Sequence, residues 1–180
     1  MGVHHVALAT ADLAKTHAFY TEAMGFELVK VVVGATPQGG WAKHAFYDTG
    51  SDGMIAFWDL HVDALPQVDG GMSRAVGLPD WVNHLAFTAH DEEHLATGRK
   101  RWLEHGFDVF EVDHGFCRSI YTVEVNGTLV EWCLDTRPLD EHDRAHALAT
   151  ILDPAPPLED PPSNVEFHPA DPTLRPAWAG

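Results

Sequence analysis

The chain carries the same pattern twice, and this internal repeat limits its possible folds more than any other feature. The first copy opens with a strand-like segment at 4–10, followed by a helical stretch that ends at Gly25. The second copy opens with a strand-like segment at 83–88, and its helical stretch ends at Gly106. Glycine at both helix ends suits the left-handed conformation that commonly terminates a helix. The two copies are therefore expected to fold alike.

Three strand-like segments, separated by turns that contain glycine, follow the helical stretch in each copy. Their expected bounds are about 27–33, 41–48 and 53–60 in the first copy and about 107–113, 119–125 and 128–134 in the second. The last two strands of the second copy are joined by Asn126-Gly127, a dipeptide that favours a tight hairpin turn. Each copy is thus predicted to be a βαβββ module.

A single four-stranded sheet of this kind leaves one face bare, whereas two copies can curl together and enclose a cleft. The predicted fold class is α+β, with two paired βαβββ modules forming a curled mixed sheet around a cleft. The modules are expected at about 3–60 and 81–136, with a linker rich in glycine and proline between them. Together they are predicted to form one domain, residues 1–136.

The composition changes after this domain, since nine of the twelve prolines lie between Pro138 and Pro176. Residues 137–180 are predicted to hold a short helix, from about Leu139 to Ile151, and a proline-rich tail. The tail is expected either to remain disordered or to lie as an extended arm on the domain or on a second subunit. The apolar residues that would anchor such an arm are Val165, Phe167, Leu174 and Trp178.

The formal net charge of −16 argues against binding to nucleic acids or to anionic membranes. No apolar run approaches the ~20 residues needed to span a bilayer, and the N-terminus lacks the layout of a signal peptide. The two cysteines, Cys117 and Cys133, form no C-x-x-C pair and suit a reducing compartment as free thiols. We therefore expect a cytoplasmic protein.

Two histidines, His5 and His84, stand at matched positions near the start of the two copies. Because side chains alternate along a strand, each histidine shares its face with small residues that leave room for a ligand. Glu131 lies in the middle of the last apolar strand, where a buried carboxylate needs a cation as partner. The pattern therefore predicts one divalent metal ion held by these three side chains.

Two imidazoles and one carboxylate form a facial triad with open positions, which is the arrangement of non-haem Fe(II) oxygenases. Zinc also accepts two histidines and a glutamate with one position left open. The first copy has Ala56 at the position that corresponds to Glu131, so three protein ligands are expected and not four. Fe(II) is the first choice of metal, with Mn(II) and Zn(II) as alternatives.

At these residues the chain resembles the vicinal oxygen chelate superfamily over about residues 3–136. This superfamily includes glyoxalase I, bleomycin-resistance proteins, methylmalonyl-CoA epimerase, fosfomycin-resistance enzymes and extradiol ring-cleaving dioxygenases. The resemblance implies paired βαβββ modules around a metal, with His5, His84 and Glu131 as its ligands. A three-ligand set is similar to that of the extradiol dioxygenases and the fosfomycin enzymes.

The segment 112–131 resembles the signature of the extradiol dioxygenases, with only Val125 replacing its proline. The resemblance implies that Tyr121 hydrogen-bonds the substrate oxygen at the metal and that His114 lies nearby. Those enzymes carry a further acid–base histidine before the second ligand, which this chain lacks at the expected spacing. Either His61 or His44 is a candidate replacement. Aromatic residues predicted to line the cleft are Phe46, Phe57, Trp58 and Phe116.

The leading functional hypothesis is an extradiol-type dioxygenase that cleaves a catechol-like aromatic substrate with O₂. A glyoxalase-like lyase or an epimerase or isomerase is the alternative, although Ala56 removes the fourth ligand which that branch uses. A third possibility is a resistance protein that sequesters a small molecule, although such proteins lack the metal triad. Paired-module folds of this kind often form dimers, so a homodimer is expected.

Overall fold

A computed structural model describes residues 2–50, 53–162 and 164–174, which form two β-sheets and three α-helices. The strands are β1 (His5–Ala9), β2 (Glu27–Ala35), β3 (Trp41–Asp48), β4 (Met54–His61), β5 (His84–Thr88), β6 (Val109–Asp113), β7 (Cys117–Val123), β8 (Leu129–Asp135) and β9 (Asn164–His168). The helices are α1 (Leu13–Ala18), continued by a π-helical segment Phe19–Ala23, α2 (Glu92–Glu104) and α3 (Glu141–Leu152). No helix in these ranges is long and apolar enough to cross a membrane.

The two copies of the repeat form two sheets with the same strand order. The first sheet runs β1-β4-β3-β2, and the second runs β5-β8-β7-β6 with β9 added beyond β6. In the first sheet Ala7 pairs with Ala56, and in the second Ala86 pairs with Glu131 at the same position. This equivalence confirms the predicted α+β class with two βαβββ modules, and it confirms that Ala56 corresponds to Glu131.

Local sequence explains where the two module helices begin and end. The side chain of Asp12 accepts hydrogen bonds at the start of α1, and Asp91 does the same for α2, as expected of N-cap residues. The predicted terminators, Gly25 and Gly106, have positive φ angles of 81° and 73°. A residue with a Cβ is strained in that conformation, which is why glycine ends both helical segments.

The helices of both modules share one hydrophobic core. The indole of Trp102 on α2 is fully buried and lies against Met24 of the first module. Phe26, just after the first helical segment, packs against Trp132 of β8 with ring centroids 5.8 Å apart. Core side chains therefore occupy one face of each sheet. The opposite face of each sheet, which carries the alternate residues, is called here the open face.

A buried polar network ties the two modules together beside this core. The Thr10 hydroxyl donates to the amide oxygen of Asn126 at 2.8 Å, and the amide nitrogen of Asn126 donates to Thr16 at 3.1 Å. The same amide nitrogen donates to the carboxylate of Glu124 at 2.8 Å. Burial raises the pKa of Glu124 above its usual range, although the hydrogen bonds that the carboxylate accepts oppose the rise.

The raised pKa of Glu124 predicts a pH-dependent stability. Because the folded state holds this proton more tightly than the unfolded state, the free energy of unfolding falls as pH rises above about 4.5 and through the folded-state pKa. The loss is about 1.4 kcal/mol for each unit of difference between the two pKa values. Urea unfolding of Glu124→Gln between mildly acidic and neutral pH should lack this decline, whereas Glu27→Gln at an exposed site should keep it. Parallel pH profiles for wild type and Glu124→Gln would contradict the assignment.

Within the described residues, the segment after the modules contains one α-helix, one strand and a 3-10 turn at Pro172–Leu174. Helix α3 begins with a capping box in which the side chains of Asp140 and Asp143 each bond the other's backbone N–H. Strand β9 pairs antiparallel with β6, so that Phe167 lies opposite Phe110. Part of the tail therefore lies on the second module as an added strand. Trp178, the other predicted aromatic anchor, is outside the described residues.

Candidate metal centre

A histidine and a glutamate meet on the open face of the second sheet. His84 begins β5, Glu131 lies in the middle of the neighbouring β8, and His84 Nε2 is 3.2 Å from Glu131 Oε2. The Glu131 side chain is only 6% exposed, whereas that of His84 is 37% exposed. The pair therefore joins a buried carboxylate to an imidazole that solvent reaches.

Tyr121 and His114 extend this pair into a chain of four side chains. The Tyr121 hydroxyl donates to Glu131 Oε1 at 3.0 Å, and His114 Nε2 lies 2.9 Å from the same hydroxyl oxygen. Burial raises the pKa of Tyr121, and the negative charge of Glu131 adds to the rise. The tyrosine therefore keeps its proton at neutral pH and points it at the carboxylate.

The donor atoms at this site suit a divalent metal. The Nδ1 atom of His84 lies 3.4 Å from the carbonyl oxygen of Val82, which can only accept a hydrogen bond. In the tautomer that carries the proton on Nδ1, the lone pair of Nε2 faces the carboxylate of Glu131, so both groups present ligand atoms to a cation. No lysine or arginine in the described part of the chain pairs with Glu131. A metal ion between the imidazole and the carboxylate meets the need of both groups.

His5 lies on the first sheet, apart from these four side chains. Its ring contacts Phe46 at a centroid distance of 5.4 Å and lies 6.1 Å from the ring of His44. Among the described residues, the potential ligand atoms of His5, His84 and Glu131 do not all lie within 4.8 Å of one another. A single chain thus brings together two of the three predicted ligands and leaves the third on the other open face.

The two candidate replacements for the missing acid–base histidine occupy opposite faces of the first sheet. His44 is on the open face with His5, where its ring stacks on Trp58 at 3.8 Å, and burial lowers its pKa. His61 is on the core side, where it stacks on Trp41 at 3.7 Å and bonds Asp59 at 2.9 Å. Only His44 therefore shares the face of a predicted metal ligand.

The prediction that Phe57 lines the cleft is wrong. Phe57 is 1% exposed and packs on Tyr20 in the core, because it alternates with Trp58 along β4. Its neighbour Trp58 and Phe46 both lie on the open face with His44. Beside them, a groove of about 410 Å³ is lined by apolar residues that include Val32 and Trp58. Phe116 is 42% exposed beside His114.

Both cysteines lie on the open face of the second sheet, Cys133 one row from Glu131 and Cys117, which pairs with Asp135, two rows from it. Both thiols are free. Cys133 of β8 pairs with Ser119 of β7, and the thiol of Cys117, also on β7, forms a hydrogen bond with that of Cys133. Burial raises the pKa of Cys117 to about 12, so this thiol stays protonated. Strand alternation from Glu131 already indicates this face for Cys133. The position of Cys117 depends on the register between β7 and β8, which the sequence does not show.

A second group of potential ligands, Glu111, Glu166 and His168, lies at the other side of the second sheet. Glu111 is already paired with the guanidinium groups of Arg99 and Arg118. Because two fixed cations neutralise this carboxylate, the group is explained as an ion-pair cluster that joins α2, β6, β7 and β9. We assign it no metal.

Two βαβββ modules with a histidine–glutamate pair on an open sheet face define the class to which this protein belongs. The chain is a member of the Glyoxalase/Bleomycin resistance protein/Dioxygenase superfamily, whose family model matches residues 2–137. No curated protein matches the sequence significantly. The family match covers both modules and ends before α3 and β9.

Solved structures with several different functions resemble the chain. FosX, a fosfomycin resistance protein from Listeria monocytogenes, has a TM-score of 0.53 and 22% identity, over 76% of this chain and 94% of its own. Lactoylglutathione lyase from Agrobacterium tumefaciens has a TM-score of 0.50 and 21% identity, over 74% and 92%. An antibiotic binding protein from a Streptomyces species has a TM-score of 0.51 and 17% identity, over 76% and 97%. These likenesses show the fold alone.

Proposed function

We propose that the protein is a divalent-metal-dependent, extradiol-type dioxygenase that acts on a catechol-like substrate with O₂. The observation that carries the proposal is the chain from His114 through Tyr121 to Glu131, next to His84. A lyase or isomerase needs a metal and a base, but it does not need a tyrosine hydroxyl held between a ligand carboxylate and a histidine. We take His5, His84 and Glu131 as the metal ligands and Fe(II) as the metal.

Each residue has a role that follows from its position. A divalent metal held here supplies a Lewis acid for two adjacent oxygens of the substrate. Tyr121 can turn its single hydroxyl hydrogen from Glu131 to a substrate oxygen bound beside that carboxylate. His114 bonds the hydroxyl of Tyr121 and faces solvent, so it can pass a proton between the site and water. On the other sheet, His44 is the candidate for the second acid–base group.

We further propose that two copies of the chain complete each metal site. His5 and the His84–Glu131 pair belong to different sheets, and each open face exposes apolar side chains such as Val32 at 48% and Val123 at 45%. A homodimer in which one copy's first sheet faces the other's second sheet covers these surfaces. In that arrangement His5 of the partner subunit is the third ligand, and the partner's His44, Phe46 and Trp58 form the opposite wall.

The proposed activity is tested by oxygen uptake with Fe(II)-reconstituted protein, prepared without air and given a panel of catechols. Uptake that requires iron and is matched by a yellow ring-opened product is the expected result. Protein that holds one metal per chain and consumes no oxygen with any catechol would exclude the dioxygenase. The lyase or isomerase would then be tested with adducts of dicarbonyls and thiols.

Removal of the Tyr121 hydroxyl should slow turnover without loss of the metal. Loss of one donor that is aligned with the reacting oxygen commonly costs about 100-fold or more in rate, so Tyr121→Phe should turn over at least ~10-fold more slowly. Its metal content should match that of wild type. Tyr47→Phe is the control, because Tyr47 is buried on the core side of the first sheet, where its hydroxyl lies 3.2 Å from Nδ1 of His17 and away from the site. A wild-type rate in Tyr121→Phe would remove the support that the hydrogen-bonded His114, Tyr121 and Glu131 give to the dioxygenase proposal.

A further inference from the structure

The tail strand β9 carries its apolar side chains on the open face and its polar ones on the core side. Glu166 and His168 lie on the core side with Glu111 of β6, whose Oε2 is 3.3 Å from His168 Nε2. Val165 and Phe167 point to the open face and are 60% and 52% exposed. A strand that only covered a sheet edge would gain nothing from apolar groups on its exposed side.

Strand register joins Phe167 to the candidate metal centre in one continuous row. Glu131 pairs with Tyr121, Tyr121 pairs with Phe110, and Phe110 pairs with Phe167, so all four side chains stand on the same face. The rings of Phe110 and Phe167 are 4.8 Å apart between centroids, and Phe110 is 49% exposed. With strands about 4.8 Å apart, the backbone positions of Phe110 and Phe167 lie about 10 and 14 Å from that of Glu131.

The polar side of β9 fixes the strand in this position. Besides the contact between His168 and Glu111, the backbone N–H of Ala170 donates to Asp108 Oδ1 at 2.8 Å just beyond the strand. Arg99 of α2 pairs with Glu111 from the other side. The ion-pair cluster therefore holds β9 against β6 and keeps the ring of Phe167 beside that of Phe110.

We propose that Phe110 and Phe167 bind the apolar, ring-bearing end of the substrate, so that the tail strand selects substrates with an aryl or similarly bulky apolar group. The inference rests on the proposed function, in which the other end of the same molecule meets the metal at His84 and Glu131. The span of about 10 Å from Glu131 to Phe110 suits a catechol with a second ring attached. A flat aromatic group should bind these two rings better than an aliphatic group does, because stacked or edge-on ring pairs add binding energy beyond the burial of apolar area.

Two experiments, one by fluorescence and one by calorimetry, test whether Phe110 and Phe167 bind an aryl group. The neutral fluorophore N-phenyl-1-naphthylamine, added to metal-free protein, reports aryl binding without any metal. Phe167→Ala and Phe110→Ala should each weaken its binding about 3- to 10-fold, the range expected for one lost ring contact. Phe167→Leu, which keeps an apolar side chain on β9, should lose less. Leu158→Ala is the control, because Leu158 lies in the tail before β9 and is 99% exposed.

Calorimetry on Mn(II)-loaded protein then compares catechol with 4-phenylcatechol. Wild type should prefer the phenyl-bearing ligand, and Phe167→Ala should reduce that preference about 3- to 10-fold while Leu158→Ala retains it. Fluorophore binding that is unchanged in both phenylalanine variants would overturn the inference, as would a dimer that dissociates in Phe167→Ala, since the ring would then belong to a subunit interface. If fluorophore binding depends on Phe167 but the protein binds no catechol, the aryl-binding surface is supported and the proposed dioxygenase is refuted.

Discussion

Replacing Glu131 with alanine should abolish stoichiometric metal binding. The carboxylate is buried, and its partners are His84 and the hydroxyl of Tyr121, so within the described ranges no other carboxylate joins His84 at this position. Loss of an outer hydrogen-bond partner of a metal ligand typically weakens metal binding 10- to 100-fold, and loss of a ligand itself should exceed ~100-fold. The measurement is metal content after dialysis, supported by titration of the metal-free protein.

Asp135→Ala is the matched control for that experiment. Asp135 lies on the same strand and the same face as Glu131, four residues farther along, but it is exposed at the strand end. The two variants remove the same charge from the same strand, so only the position differs. Full metal content in Glu131→Ala would refute the proposed ligand set, and equal loss in both variants would point to general disturbance of β8.

Mixing two inactive variants should restore metal binding if the site lies between two copies. Tested separately, the His5→Ala variant and the His84→Ala variant should each fail to bind the metal. In a mixed dimer, one site carries both substitutions and the other site carries neither, because His5 and His84 of one chain belong to different sites. With random exchange about half of the dimers are mixed, so about a quarter of the wild-type metal content and turnover should return.

The control mixture combines His84→Ala with Glu131→Ala. Both residues lie on the second sheet of the same chain, so every site in a mixed dimer is damaged and nothing should return. A site contained within one chain predicts no recovery in either mixture. Recovery only in the mixture that contains His5→Ala would therefore distinguish a site shared between two chains from a site within one chain. No recovery in a confirmed mixed dimer of His5→Ala and His84→Ala would refute the shared site.

The repeat allowed much of the fold to be predicted, because alternation along a strand has a fixed period of two residues. Matching His5 with His84 was enough to pair Ala56 with Glu131, and the observed registers are equivalent. Phe57 was assigned to the cleft although it alternates with Trp58, which is itself on the open face. Applying the same period to β4 would have avoided that error.

Two features depend on contacts that no local pattern contains. The separation of His5 from Glu131 reflects how the modules pack through the shared core. The pairing of β9 joins His168 to Val109, far apart in sequence, so its register cannot be derived from either segment. The row from Glu131 to Phe167 could be seen only once the long-range register between β6 and β9 was known.

Strand β9 also has a consequence for where this protein can be cut. The family match ends at residue 137, yet β6 would be the outer edge of its sheet without Asn164–His168 beside it. An uncovered edge offers a line of unpaired N–H and C=O groups to other chains and promotes aggregation. The homology boundary and the folding boundary thus differ, and a soluble version of the domain must extend through His168.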